Sequence, residues 1–176
     1  MAISVTLASG VDAAELAEVA AATFPLACPP TAEPADVAAH IAEHLTARAF
    51  GAHLEDPDRI VLAARDDGRI VGYAMLVRGV GDDPDIAAAV TPRPAVELSK
   101  MYVQATHHRG GAAAALMQTG LDWARADGAA AVWLGVNRNN ERAQRFYGKH
   151  GFVVTGARRF RLGAGTKDDF VMVRAF

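Results

Sequence analysis

The sequence predicts a single mixed α/β domain, built as one layer of β-sheet with helices packed on it. The chain has 176 residues, of which 51% are hydrophobic and 22% are charged. That length suits one domain and allows it to bury a sizeable core. Segments that alternate apolar and polar residues, as strands do, recur between segments of helical periodicity. No run approaches the roughly 18 consecutive apolar residues that a membrane-spanning helix requires.

The N-terminal part is predicted to hold one strand and two helices. Residues 1–8 alternate apolar and polar positions and favour a strand, and 11–23 has the spacing of an amphipathic helix. Four prolines predict a loop over 24–34. A second helix is expected over 34–50, with a further turn to about residue 55.

A hairpin is predicted next. Two apolar runs, 60–64 and 69–77, flank Asp67-Gly68, a dipeptide typical of the tight turn between antiparallel strands. The acidic stretch 79–94 contains prolines and is expected to be an excursion from the sheet. The remaining predicted elements are a strand at 96–103, a helix at 112–127, a strand at 131–136, a helix at 140–150 and strands at 152–160 and 169–176.

Composition and charge narrow the function classes. The formal net charge is only −2, which gives no electrostatic basis for binding nucleic acid. Cys28 is the single cysteine, so an internal disulfide and a cysteine-based zinc site are excluded. The first ten residues lack Lys and Arg and do not look like a signal peptide. We therefore expect a cytoplasmic enzyme or ligand-binding protein, one domain over residues 1–176, without a membrane partner.

The segment after the strand at 96–103 is the most informative for chemistry. A polar loop with His108 and Arg109 leads into Gly110 and Gly111, and small residues then open a helix. The first turn of a helix has unpaired N–H groups and a partial positive charge, which together bind phosphate groups. The loop lacks both the P-loop lysine and the dinucleotide fingerprint. An ordinary strand–turn–helix connection remains the alternative.

A second segment, 132–152, predicts a buried strand, a cap, a short helix and a Gly-Phe exit. Asn139 or Asn140 can cap this helix. Ala143 and Phe146 are expected to face the sheet. Packing alone explains Tyr147 less well than these neighbours.

The loop resembles motif A of the GCN5-related N-acetyltransferases (GNAT), in which Leu-Tyr-Val ends a strand before Gln/Arg-x-x-Gly-x-Gly/Ala. Met101-Tyr102-Val103 matches the end of the strand, 108–113 matches the loop, and 115–117 matches the small-Leu-Leu that follows. Two departures stand out: His108 replaces the usual Gln or Arg, and Arg109 lies where Gly is common. Which of the two takes the Gln/Arg role stays open.

The second segment resembles motif B of the same family, Asn-x-x-Ala-x-x-Phe-Tyr-x-x-x-Gly-Phe. The matching positions are Asn140, Ala143, Phe146, Tyr147, Gly151 and Phe152. The chain is therefore identified as a GNAT member, and the resemblance extends from about residue 60 to residue 176. It implies the acyl-CoA N-acyltransferase fold, an α/β (α+β) fold whose mixed, mostly antiparallel sheet has about seven strands and about four flanking helices.

The resemblance also implies the chemistry. Acetyl-CoA is the expected cosubstrate, with its pyrophosphate on the amides of about Gly110–Ala113. Tyr147 is expected to protonate the departing sulfur, Asn140 to contact the pantetheine arm, and a backbone N–H near Met101 to stabilise the oxyanion. The full set of expected coenzyme-binding residues is Met101, Tyr102, Val103, His108, Arg109, Gly110, Gly111, Ala112, Ala113, Asn140 and Tyr147.

Glu97 is the candidate base, because a Glu at this place has that role, or orients water, in some members. A surface or sheet-edge carboxylate, paired with Lys100 or an Arg, is the alternative. No metal is expected. His40 and His44 are one helical turn apart, but no third ligand is evident, and we interpret them as a surface pair.

The acceptor is expected to be a small-molecule primary amine. Five stretches are similar to bacterial spermidine/spermine N-acetyltransferases, which favours a polyamine: 133–137, 146–152, Thr155-Gly156, Arg159-Phe160 and 168–172. An amino acid, an aminoglycoside-like amine or a protein amine is the alternative acceptor. A non-catalytic acyl-CoA-binding module is the alternative class, and a homodimer is one option for assembly.

Overall fold

The computed structural model describes residues 2–162 and 165–176, and within them it forms a seven-stranded sheet with six α-helices. The strands are β1 (Ser4–Leu7), β2 (Arg59–Asp66), β3 (Arg69–Arg78), β4 (Ala95–Val103), β5 (Ala131–Asn137), β6 (Val153–Leu162) and β7 (Gly165–Ala175). The helices are α1 (Ala13–Ala27), α2 (Pro34–His44), α3 (Ala47–Glu55), α4 (Pro84–Ala89), α5 (Ala112–Ala126) and α6 (Glu141–Lys149). Short 3₁₀ turns cover Gly10–Asp12 and Ala105–His107.

The sheet is mixed and mostly antiparallel, as predicted. Its strand order is β1-β2-β3-β4-β5-β7-β6. The β1/β2, β5/β7 and β6/β7 pairs are antiparallel, whereas β4 and β5 are parallel. The predicted fold class is confirmed, with more helices than the expected four or so.

The hairpin between β2 and β3 forms where the sequence predicts it. Asp67 and Gly68 both have positive φ, at 50° and 78°. A two-residue type I′ turn requires positive φ at both central positions, and Asp-Gly tolerates that conformation.

Two predictions in the helical regions are wrong. The predicted helix over 34–50 is split into α2 and α3, because Thr46 caps α3 by accepting the Ala49 N–H at 3.1 Å. Helix α1 continues through Pro25, although a loop was expected from residue 24. A proline near the end of a helix removes only one N–H from the ladder. The excursion from the sheet that the sequence predicts at 79–94 does lie between β3 and β4, and it contains α4, which Asp83 caps.

The described chain forms two compact units. The first comprises Met1–Leu76 and Lys100–Gly120. Its core is closed by large side chains that are at most 1% exposed, namely Leu16, Phe50, Leu62, Tyr73 and Leu116. Phe50 meets Tyr73 edge to face, with ring centroids 5.4 Å apart. That the chain is one domain stays a prediction.

The second unit comprises Val77–Ser99 and Leu121–Phe176. Its core packs α4 against β5 and β7 through Ile86, Val90, Trp133, Val171 and Val173. The Trp133 indole N–H donates to the Gly79 carbonyl at 3.0 Å. No helix among the described residues is both long and apolar enough to cross a membrane.

Candidate active site

Strand β4 is unusually accessible for a strand inside a sheet. Its neighbours in the strand order are β3 and β5, yet Lys100, Met101 and Tyr102 are all only half-buried. Strands covered on both faces usually bury successive residues completely. These three side chains are therefore partly accessible to solvent, whereas the next residue, Val103, is buried.

Tyr102 packs against a second aromatic side chain, that of Tyr73. Its ring lies 5.8 Å from that of Tyr73, measured between centroids. Burial raises the pKa of Tyr102, with a smaller contribution from Cys28, so its hydroxyl stays protonated at neutral pH. The phenol can donate a hydrogen bond but does not supply a base.

The loop that follows β4 is held by its own backbone. The Gln104 N–H donates to the Val71 carbonyl at 2.8 Å, and a 3₁₀ turn begins there. The Gly110 N–H donates to the His107 carbonyl at 3.1 Å. Gly111 has φ of 82°, and helix α5 starts at the next residue. The Gly110 amide is thus engaged within the loop, and the amides that a helix N-terminus leaves unpaired begin at α5.

Some side chains of the loop anchor it to neighbouring strands, and others are exposed to solvent. The His108 imidazole Nε2 donates to the Val103 carbonyl at 2.8 Å, which ties the loop to the end of β4. Arg109 is exposed at the mouth of the loop. His107 Nε2 lies 3.0 Å from the Asp66 carboxylate. Sequence reasoning missed Asp66 and His107, because 41 residues separate them and neither lies at a family motif position quoted above.

Helix α6 is capped by Asn140, one of the two residues that the sequence left open. Its side-chain oxygen accepts the Ala143 N–H at 3.0 Å. Asn137 accepts the Asn139 N–H instead, at 2.8 Å. Ala143 and Phe146, expected to face the sheet, are half-buried.

Tyr147 lies in the last turn of α6 and is half-buried. Its ring centroid is 5.6 Å from that of Phe146 and 6.0 Å from that of Phe152. Its carbonyl accepts the N–H groups of His150 and Phe152 at 3.0 and 3.1 Å. Backbone and aromatic contacts therefore fix the tyrosine at the end of the helix, where Gly151 adopts φ of 86°.

Glu97 is half-buried on β4, directly opposite Trp133 of β5. Parallel partners project to the same face of a sheet, so the carboxylate shares the face that carries Trp133. Glu97, Asn140 and Tyr147 all belong to the second compact unit. Residues 101–103 and 108–113 belong to the first.

A cavity of about 700 Å³ lies in the second unit at the start of β4. Its charged side chains already have structural partners. Arg78 donates to both carboxylate oxygens of Asp127 at 2.8 and 2.9 Å. Arg93 donates to the backbone carbonyls of Val90 and Pro92. None of the predicted site residues lines this cavity.

The two helical histidines behave as an ordinary surface pair. His40 stacks on Phe24 at 4.4 Å between ring centroids and lies 4.8 Å from His44. Burial lowers the pKa of His40. Across the residues the structure describes, no group of three or more metal-ligating side chains is gathered.

Comparison with known proteins gives a consistent result. The family model described as "Acetyltransferase (GNAT) family" matches residues 16–152. Uncharacterized N-acetyltransferases of Mycobacterium bovis and Mycobacterium tuberculosis are 54% identical over 167 residues, which cover 93% of this chain and 97% of theirs.

Among solved structures, the PaiA N-acetyltransferase from Thermoplasma acidophilum in complex with coenzyme A matches with a TM-score of 0.77. The identity is 19%, and the match covers all of both chains. The ribosomal-protein-S18-alanine N-acetyltransferase from Escherichia coli matches with a TM-score of 0.69 and 16% identity, over 99% of this chain and 94% of that one. At these identities the two structures share the fold with this chain.

Proposed function

Since the chain belongs to the acetyltransferase (GNAT) family of acetyl-CoA-dependent N-acyltransferases, we propose that it acetylates a primary amine of a small molecule. The observation that carries the proposal is the strand–turn–helix at 101–113. There a half-exposed strand end, a positive-φ glycine and a helix N-terminus follow one another. This arrangement suits a long ligand that carries a pyrophosphate.

The coenzyme would be bound chiefly by main-chain groups. We place the pyrophosphate on the amides from Gly111 to Ala113, with Gly110 forming the turn. Arg109 is a better candidate than His108 for the role that a Gln or Arg usually has in this motif. The His108 imidazole is already hydrogen-bonded to the Val103 carbonyl. Residues 101–103 would lie along the acyl end of the pantetheine arm.

The reaction joins the amine nitrogen to the acetyl carbon and breaks the bond between that carbon and sulfur. A primary ammonium must first lose a proton, because alkyl amines, like Lys, have a pKa near 10.4. We assign Glu97 to accept it, directly or through water. A β4 amide near Met101 would hold the oxyanion, and Tyr147 would give its proton to the departing thiolate.

The acceptor that we propose first is a polyamine. The proposal rests on the five stretches between residues 133 and 172 that resemble bacterial spermidine/spermine N-acetyltransferases. Amino acids, aminoglycoside-like amines and protein amines use the same chemistry and differ in what surrounds the amine.

The test is release of free thiol from acetyl-CoA across spermidine, spermine, amino acids, aminoglycosides and an N-terminal peptide. We expect turnover with at least one amine and the highest kcat/KM with a polyamine. If thiol is released only with an amine that is not a polyamine, that amine's class replaces the polyamine as the proposed acceptor. Coenzyme A binding without thiol release from any amine would favour a non-catalytic acyl-CoA-binding module.

A further inference from the structure

A nearly buried contact between a carboxylate and an imidazole lies beside the loop that follows β4. The Asp66 Oδ2 and His107 Nε2 atoms are 3.0 Å apart. The two side chains are 11% and 23% exposed, respectively. Asp66 ends β2 just before the hairpin turn, whereas His107 ends the 3₁₀ turn before Gly110. The contact therefore joins a rigid strand to the segment that leads into α5.

The hydrogen-bond chemistry of this contact is complete. The carboxylate oxygen of Asp66 accepts the hydrogen bond, so the imidazole Nε2 of His107 carries a hydrogen and is the donor. The other ring nitrogen, Nδ1, is 2.9 Å from the Thr106 hydroxyl. Both ring nitrogens are thus occupied, which fixes the orientation of the ring.

The backbone of His107 connects this ring to the glycine turn. Its carbonyl accepts the Gly110 N–H at 3.1 Å, and the following amides open α5. A shift of His107 would therefore move the turn that presents those amides.

We propose that Asp66 and His107 are positioning residues for coenzyme A, which hold the loop in its binding geometry before the ligand arrives. This inference rests on the proposed function, since it assumes that the loop binds the coenzyme. Neither residue touches the reacting atoms. Their contribution is preorganisation, because a loop that is already ordered loses less freedom on binding.

The test measures the Kd of coenzyme A by calorimetry, together with KM and kcat from thiol release. We expect Asp66→Ala and His107→Ala each to raise Kd and KM about five- to tenfold, as loss of one charge-assisted hydrogen bond would do. The kcat should stay within about twofold, because the bound coenzyme orders the loop again. The double variant should be no worse than either single variant, since the two changes break one contact.

A matched control is available at the preceding residue of β2. Arg65 pairs with Asp12 at 2.9 Å, and their side chains are 20% and 13% exposed. Asp12 also accepts the Ser9 N–H at 2.9 Å, so Asp12→Ala should lower the Tm at least as much as Asp66→Ala. We expect it to leave Kd and KM within about twofold of the wild type.

His107→Gln tests for rescue, because its side-chain amide can still donate to Asp66. It should return Kd toward the wild-type value. If Asp66→Ala does not fold, Asp66→Asn takes its place, since the isosteric amide keeps an acceptor but loses the charge. We expect it to raise Kd to a value between those of the wild type and His107→Ala.

The inference is overturned if the Kd of a folded Asp66 variant equals that of the wild type. It is also overturned if Asp12→Ala raises Kd as much, or if the Asp66 and His107 effects simply add. A wild-type protein that binds coenzyme A but acetylates no amine would remove the proposed function, and Kd would still decide the role of this pair. A wild-type protein that does not bind coenzyme A would remove both.

Discussion

Segment 104–113, which is the loop after β4 together with the first two residues of α5, differs from helix α6 in the kind of group proposed to act on the ligand. In the loop, the groups proposed to bind the ligand are backbone amides, and side chains such as His108 hold the backbone in place. In α6, the proposed reactive group is the Tyr147 hydroxyl, and backbone hydrogen bonds to the Tyr147 carbonyl hold the residue in place. Binding at the loop therefore requires small residues that leave the backbone amides accessible. The proposed role of α6 requires the chemical identity of one side chain.

This difference predicts opposite sensitivities to mutation. Adding atoms should damage the loop, because a side chain blocks approach to the amides. Removing a single atom should damage α6, because the proposed proton donor is one hydroxyl. Variants in the loop and in α6 test this difference, and their expected effects fall from Tyr147 to Asn140.

Tyr147→Phe should have the largest effect. It removes only the hydroxyl, so kcat should fall about a hundredfold, the lower part of the range for general acid catalysis. The Kd of acetyl-CoA should change little, because a leaving-group acid acts mainly in the transition state. Steady-state thiol release at saturating acetyl-CoA measures the change.

Tyr73→Phe is the matched control. Tyr73 is 1% exposed, and burial raises the pKa of its hydroxyl far above the usual value of a tyrosine. Its hydroxyl has no proposed role in the reaction, so kcat should stay near the wild-type value. A fall of less than about threefold in Tyr147→Phe, which is roughly 0.6 kcal/mol, would remove the catalytic role of Tyr147.

Gly111 tests the other half of the comparison. It has φ of 82°, and a Cβ there would meet no protein atom within 4 Å. Gly111→Ala should lose about 1–2 kcal/mol of stability through backbone strain and raise the KM for acetyl-CoA about tenfold. Gly111→Asp adds a negative charge beside the phosphates and should raise KM about thirtyfold.

Gly128 separates strain from ligand approach. It has φ of 87° and equally open surroundings, but it follows α5 rather than preceding it. Gly128→Ala should therefore lose similar stability, measured by urea unfolding, with no change in KM. If a folded Gly111→Asp protein kept the wild-type KM, the loop would not bind the pyrophosphate.

Arg109 tests whether any side chain of the loop reaches the coenzyme. The residue is exposed, so a contact with a phosphate would be partly screened by water. Arg109→Ala should raise the Kd of coenzyme A about fivefold if it meets the ribose phosphate. Binding of 3′-dephospho-coenzyme A should then be unaffected. Equal weakening of both ligands would place Arg109 on the pyrophosphate or away from the coenzyme.

The sequence predicted the fold well because its signals are local. The Asp67-Gly68 turn specifies the β2–β3 hairpin directly, and the helix predicted at 112–127 is α5, Ala112–Ala126. The helix predicted over 34–50 was wrong because Thr46, inside a continuous apolar pattern, caps the start of a second helix. Periodicity alone does not show such a break.

The site was predictable only as far as its motifs reach. The motif patterns place Gly111 just before α5 and Tyr147 in α6, and the structure has Gly111 immediately before the first residue of α5 and Tyr147 within α6. The Gly110 amide was expected to face the ligand, but its hydrogen bond to His107 depends on the path of the turn. The Asp66–His107 contact depends on the docking of two distant segments, for which the sequence gives no local signal.

Substitution of Asn140 should have the smallest effect. It also tests whether a side chain of α6 serves the structure or the ligand, because the Asn140 side chain caps the helix. It accepts the Ala143 N–H, so Asn140→Ala should lose about 1 kcal/mol of stability. Asn140→Ser keeps a capping oxygen but loses the amide NH₂ that would meet the pantetheine arm. Thr46→Ala, which removes the cap of α3, is the control for loss of a cap alone. If the amide binds the coenzyme, Asn140→Ser should keep its stability yet raise the KM about threefold, while Thr46→Ala should lose stability with KM unchanged. Wild-type values of both quantities in Asn140→Ser would leave Asn140 with the role of a helix cap, and of the two residues proposed for this helix only Tyr147 would still be assigned to the coenzyme.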